Sequence, residues 1–235
     1  MRETLILTRR ELKAYFDSPT AYVVLSIFLL IMGWFFSTNL FLQDRATLRT
    51  LFDLAPMVFL FFIPAITMGT FAEERRSGTI ELLFSLPIRD WQVIVGKILA
   101  PVTLTAVALG LTFFHAITVS MLGDLDFGAT FGGYLGLLLF ATAAIAIGLF
   151  ASSLTRNQIV AFIVAFALIF VLFMLDKVTP FVPGFMASVL EYLSMDYHYQ
   201  NLLRGVIDTR DVLYYVSVTL FFGLLTGYNL AKRPE

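Results

Sequence analysis

The chain has 235 residues, of which 59% are hydrophobic and only 14% charged, with 25 Phe and a mean hydropathy of +0.85. A soluble domain has about a quarter of its residues charged, so this composition cannot clothe a soluble core and describes an integral membrane protein. With 16 Lys+Arg against 17 Asp+Glu the net charge is -1, which gives no overall basic field to draw nucleic acid. The absence of cysteine excludes a disulfide framework and any Cys-based metal or redox site, and two histidines make no zinc site by themselves.

In chain order, residues 1–17 predict an elbow helix lying in the membrane interface. Leu5, Leu12, Tyr15 and Phe16 fall near one face while Arg9, Arg10, Glu11, Lys13 and Asp17 fall mostly on others; the plainer alternative is a frayed basic anchor. Asp17-Ser18-Pro19 then ends the helix and turns the chain into the bilayer. Six charge-free stretches of at least 19 residues follow, near the ~20 residues a helix needs to cross the hydrocarbon core. The spans they predict are 18–43, 54–72, 93–123, 129–153, 157–175 and 212–231, which makes the expected fold all-α, with six transmembrane helices in one domain.

Pro56 and Pro64 in the second span and Pro101 in the third predict kinks. In the fourth, Gly132, Gly136, Ala144, Gly148 and Ser152 form a face of small side chains on which a neighbouring backbone can pack, within this chain by default or in a second copy. The fifth is apolar on all sides, as expected of a helix with much lipid-facing surface. Placing the N-terminus in the cytoplasm puts 11 of the 16 basic residues on that side, so both termini are expected inside.

Two longer segments lie outside the spans: 73–90 on the expected cytoplasmic side and 176–211 on the other. The spans hold no Asp, Glu, Lys or Arg in their charge-free stretches, which disfavours an ion-coupled carrier. His115 in the third span reads as a histidine hydrogen-bonded inside the bundle rather than a proton relay. No intramembrane serine-protease or zinc-protease motif occurs, Glu73-Glu74 lacks the arginine and histidine of the prenyl-protein proteases, and Gly96-Lys97 lacks the upstream glycine of a Walker A loop. The chain is therefore expected to be no enzyme by itself, with no metal site and no bound cofactor. His198 with Asp196 and Asp208 is too thin a set to count as one.

The inner segment reads Glu73-Glu74-Arg75-Arg76-Ser77-Gly78-Thr79-Ile80-Glu81-Leu82-Leu83-Phe84-Ser85-Leu86-Pro87. Thr79 is a plausible N-cap for a short helix that Pro87 would stop, with Ile80, Leu83 and Phe84 on one apolar face beside a charged cluster. By itself this reads first as an ordinary juxtamembrane charge cluster with a surface helix. The acidic pair, the basic residues, Gly-Thr, Glu-Leu-Leu and the proline nevertheless resemble the signature of ABC-2 type transporter permeases. That resemblance implies that Glu73, Glu74, Arg75, Arg76, Gly78, Thr79, Glu81, Leu82, Leu83 and Phe84 belong to a cytoplasmic coupling helix. Such a helix docks on a separate ABC ATPase subunit, which carries the ATP and Mg.

The resemblance also implies a second permease copy or paralogue, a bacterial cytoplasmic (inner) membrane location, and short external helices before the last span. Tyr197-His198-Tyr199, Arg204-Gly205-Val206-Ile207-Asp208 and Arg210-Asp211-Val212-Leu213-Tyr214 resemble the gliding-motility-associated branch and, more loosely, the permeases of copper-enzyme maturation. On that reading His198, Arg204, Gly205, Asp208 and Asp211 mark an external gate or the contact for an extracytoplasmic auxiliary protein. The other reading of 176–211 is a lid of short helices on membrane lipid, anchored by Phe181, Phe185, Tyr192, Tyr197 and Tyr199. The implied function is an ATP-driven exporter; the alternative is a scaffold that relays ATPase motion outward without moving a substrate.

Overall fold

Pro19 has no N–H to offer a helix and a backbone angle already suited to a first turn, so the chain breaks at Ser18 and restarts. In the computed structural model, which describes residues 2–42, 47–81, 88–123 and 125–232, α1 spans Arg2–Asp17 and α2 spans Pro19–Leu42. Then come α3 (Arg49–Thr67), α4 (Gly69–Ser77), α5 (Asp90–Leu122), α6 (Phe127–Ser153) and α7 (Gln158–Val178). A 3-10 turn at Thr179–Phe181, α8 (Phe185–Leu193), α9 (Met195–Leu203) and α10 (Thr209–Ala231) complete the order, with no strand among the described residues.

Side chains that satisfy orphan backbone N–H groups set the helix starts. Asp126 accepts from the Ala129 N–H at 3.1 Å, Asn157 from Ile159 at 2.9 Å and Asp208 from Arg210 at 2.9 Å. Six stretches are long and apolar enough to cross a membrane, α3 and α4 counting together as one. The second reaches beyond its expected limits, from Arg49 to Ser77, because neither Arg49, Asp53 nor Glu73 stops a helix; Gly78 does. Residues 73–77 are therefore a helical extension of that span rather than the start of a loop.

The helix α6 sits at the centre and packs against α3, α4, α5, α7, α9 and α10. Between helices in lipid there is little hydrophobic driving force, so close packing decides which faces meet. Gly132 lies against the Leu202 carbonyl and Gly136 against Tyr199 and Leu202, while Gly148 meets Thr67 and Ala144 is fully buried. All of these neighbours lie in the same chain, and Gly133, on the adjoining face, receives the Phe52 ring. The apolar core of α6 is 72% buried against 22% for α7 and for α10, leaving those two with the broad outward surfaces lipid requires.

One member of an expected face is corrected. In α1 Leu12, Tyr15 and Phe16 pack against the core, but Leu5 is exposed, and Leu7 with Thr4, Thr8 and Glu11 faces inward instead. Leu7 docks into the space left by Gly96 of α5, and that tight contact chose the face.

Candidate functional site

The helix α4 is a nine-residue stub whose root is buried at Phe71 and Ala72 and whose tip is exposed at Arg76 and Ser77. It ends because Gly78 takes a left-handed conformation, φ 73°, which a glycine adopts without steric cost. The Ser77 hydroxyl donates to the Glu73 carbonyl at 2.9 Å and lies 2.8 Å from the Thr79 hydroxyl, tightening the turn. Residues 80 and 81 are helical again; Leu82, Leu83, Phe84 and Pro87 lie outside the described residues.

The root of the stub is fastened by an ion cluster built around a buried lysine. Lys97 of α5 is 1% exposed, and its ammonium lies 2.7 Å from Glu74 Oε1, 3.4 Å from Glu11 Oε1 and 3.1 Å from the Thr70 carbonyl. Three acceptors meet the three N–H bonds of the ammonium, and the Phe71 ring centroid lies 5.0 Å away as a further favourable contact. Arg10 completes the cluster 2.7 Å from Glu11 and 4.0 Å from Glu74. Two cations thus balance two carboxylates across α1, α4 and α5, and Glu74 points inward at Lys97 rather than outward with the rest of the stub. Glu73, Arg76, Gly78, Thr79 and Glu81 stand exposed and Arg75 half-buried, with Glu73 accepting from Gln158 at 3.2 Å.

A second fastening lies one turn deeper, where α3 gives way to α4 at Met68. The Ser152 hydroxyl of α6 accepts from the Phe71 and Ala72 N–H groups, each at 3.0 Å, and donates to the Met68 carbonyl at 2.9 Å. It occupies the place in the ladder where backbone carbonyls would normally accept, a recognised cause of a helix break. Tyr15 of α1 donates to the Ile66 carbonyl at 2.6 Å, and burial pushes its phenol up to about 12. The stub is therefore continuous with α3 yet bolted sideways to three other helices. Its contacts reach α1 and α5 through charge and α6 through Ser152.

At the opposite end of the bundle, the residues expected to form an external gate divide. Arg204 and Asp208 are exposed, and Gly205, at φ 81°, packs on the Gly128–Ala129 backbone. His198 and Asp211, by contrast, are buried and bonded to each other at 2.6 Å. His198 meets neither of the carboxylates suggested by sequence: Asp196 binds Lys177 at 2.6 Å, and Asp208 caps α10. Tyr199 donates to the Phe52 carbonyl, Tyr214 to that of Leu193 and Tyr215 to that of Met195, tying the segment to the bundle. Burial holds the Tyr199 phenol well above its ordinary range. His115 lies 3.0 Å from the Thr112 carbonyl, a contact within its own helix.

Sequence reasoning placed Tyr15 on the apolar face of the first helix, Ser152 on the small-residue face and Lys97 in a rejected Walker A comparison, and connected none of them with the stub. A signal existed for Lys97, the lone ionisable side chain between Asp90 and His115. None existed for the role of Ser152, whose hydroxyl acts on backbone groups 80 to 84 residues away in sequence.

Six apolar helices, one of them extended by a charged helical stub, define a multi-pass α-helical membrane protein. The chain belongs to the ABC-2 family of transporters: the family model described as ABC-2 family transporter protein matches residues 35–228. Membership makes it a membrane component of an ABC transporter and implies an ABC ATPase partner, often with a permease pair. The matched region contains Lys97, Glu74 and Ser152 but begins within α2, so α1 with Glu11 and Tyr15 lies outside it. No curated protein matches the chain.

Proposed function

We propose that the chain is the permease subunit of an ATP-driven exporter, not catalytic by itself, and that its separate ATPase subunit, with ATP and Mg, grips the segment from Glu73 through the residues after Gly78. The observation that carries this reading is the way Lys97 joins the α4 stub to α1 and α5 inside a chain of the ABC-2 family. A free surface cluster would need no buried lysine beneath it. Glu73, Arg76, Thr79 and Glu81 offer exposed groups to a motor, with Leu82, Leu83 and Phe84 as the apolar part of the contact; Glu74 and Arg75 belong to the root. Closure of two ATPase subunits would push paired stubs and tilt α3 against α6.

The basic residues of α1, the stub and the α6–α7 turn support a cytoplasmic location for this end and for both termini, in a bacterial inner membrane. A second copy of the chain or a paralogue completes the permease. The Tyr197-His198-Tyr199 and Arg204-Gly205 pattern supports the gliding-motility-associated branch. Its exposed members, Arg204 and Asp208 among them, serve as the external gate or partner contact.

One observation favours the scaffold as a second reading: Phe181 and Phe185 are 85% and 83% exposed beside α8, a surface that an extracytoplasmic partner could cover. Co-purification with an ABC ATPase encoded beside the chain tests the main proposal. Charge reversal at Glu73 or Glu81 is expected to weaken that association without unfolding the permease, and a chain that never binds such an ATPase overturns it. ATPase activity that depends on an external partner, with no flux in sealed vesicles, would favour the scaffold.

A further inference from the structure

The histidine at the far end of the bundle has acceptors at both of its ring nitrogens. Nδ1 of His198 lies 2.6 Å from Asp211 Oδ1, and Nε2 lies 3.0 Å from the Tyr192 carbonyl. A carbonyl oxygen has no proton to give, so Nε2 must carry one and donate it. A neutral ring then has none left for Nδ1, where a bare nitrogen would face a carboxylate. The contact at 2.6 Å requires one more proton, on the ring or on the acid.

Charge balance leads to the same count. Asp211 is buried at the first turn of α10, and its ion-pair partner among the described residues is His198. Its other oxygen, Oδ2, is buried without a hydrogen-bond partner, and Asn201 reaches Oδ1 at 3.4 Å. An isolated buried carboxylate is costly, so the pair is stable when the additional proton makes it neutral overall. Four aromatic rings surround the imidazole. Tyr214 of α10 stacks on it with centroids 4.0 Å apart, and Tyr192 of α8, Tyr197 of α9 and Tyr215 of α10 meet it edge-on. The stacked face of Tyr214, unlike the edge-on contacts, favours a ring bearing positive charge. The nearby Lys177 is taken up by Asp176 and Asp196 and does not serve Asp211.

We propose that His198 and Asp211 form a proton-binding site that holds two protons, one on Nε2 and one between Nδ1 and Oδ1, and that the second proton latches α8 and α9 to the head of α10. Without it a buried negative charge would remain and one acceptor would face another, so the latch holds only while that proton stays in the pair. The segment it holds, from Tyr192 to Asp211, is the one that covers this end of α6 through Tyr199 and Leu202.

Because the chain has two histidines, the substitution His115→Gln leaves His198 as the sole imidazole. The test is nitrogen NMR of that full-length chain, labelled at histidine, in lipid nanodiscs at pH 8, where a free imidazole keeps its second proton in about 3% of molecules. Both ring nitrogens are expected in proton-sharing hydrogen bonds, with a strongly downfield proton on the Nδ1 bond. An ordinary neutral tautomer with one bare nitrogen overturns the proposal. Both partners are intact in this sample, so the result does not depend on whether a variant folds. In parallel, Asp211→Leu, which removes the carboxylate and offers no amide N–H to Nδ1, is expected to raise intrinsic-rate-corrected amide exchange over residues 192–211 at least tenfold at pH 7, and unchanged exchange there also overturns the latch.

Discussion

Lys97 and Glu74 are 23 residues apart in sequence and meet at 2.7 Å with the ammonium 1% exposed. The lysine thus lies where α1, α4 and α5 converge, and its charge is satisfied only if all three hold their places.

Replacing Lys97 with Met removes the cation from between Glu74 and Glu11. Breaking one side of a buried pair costs about 3–5 kcal/mol, and thermal unfolding of the purified chain should show a loss of that order. The double substitution Lys97→Met with Glu74→Gln should recover a large part of it, since position 74 then holds no uncompensated carboxylate. A cycle in which the two losses simply add would show that Lys97 and Glu74 do not act on one another.

For Ser152→Ala the fold has nothing to put in place of the hydroxyl. The Phe71 and Ala72 N–H groups and the Met68 carbonyl lose their partner in a buried site. Leaving buried polar groups unpaired costs about 1–3 kcal/mol each before relaxation. Accelerated hydrogen exchange confined to residues 71 and 72 is the expected signature; unchanged protection there would mean that the ladder closes without Ser152.

Gly132→Ala places a methyl group against the Leu202 carbonyl oxygen, and Gly148→Ala places one against the Thr67 hydroxyl and Cβ. Overpacking of this kind costs typically about 1–3 kcal/mol. The first should loosen α9 from α6 and the second α3 from α6, read as a lower melting temperature in detergent. Gly223→Ala, where a Cβ meets open space, serves as the control and should not lower it.

Tyr15 carries a pH-dependent contribution. Its phenol is raised from 10.0 to about 12, chiefly by burial, so the protonated form is favoured in the folded chain. The advantage is fully present below pH 10 and is lost as pH rises through about 12. Wild type should exceed Tyr15→Phe by about 1 kcal/mol at neutral pH, the net worth of one hydrogen bond. Chemical denaturation at a series of pH values should show the gap closing over that alkaline range.

Composition and charge spacing alone determined that this chain is an α-helical membrane protein with six spans, because crossing the bilayer demands uninterrupted apolar length and internally satisfied backbone. The same local rules exposed the break at Pro19, the small-residue face at Gly132, Gly136 and Gly148, and the charged segment around Gly78, since each depends on neighbours within a few turns. Only the tertiary structure decided that Glu74 turns inward to Lys97, that Leu7 rather than Leu5 faces α5, and that His198 pairs with Asp211 instead of Asp196 or Asp208. Those outcomes depend on which helix faces come together, and the close packing and polar pairing that select them join residues far apart in the chain, where no sequence period records the match.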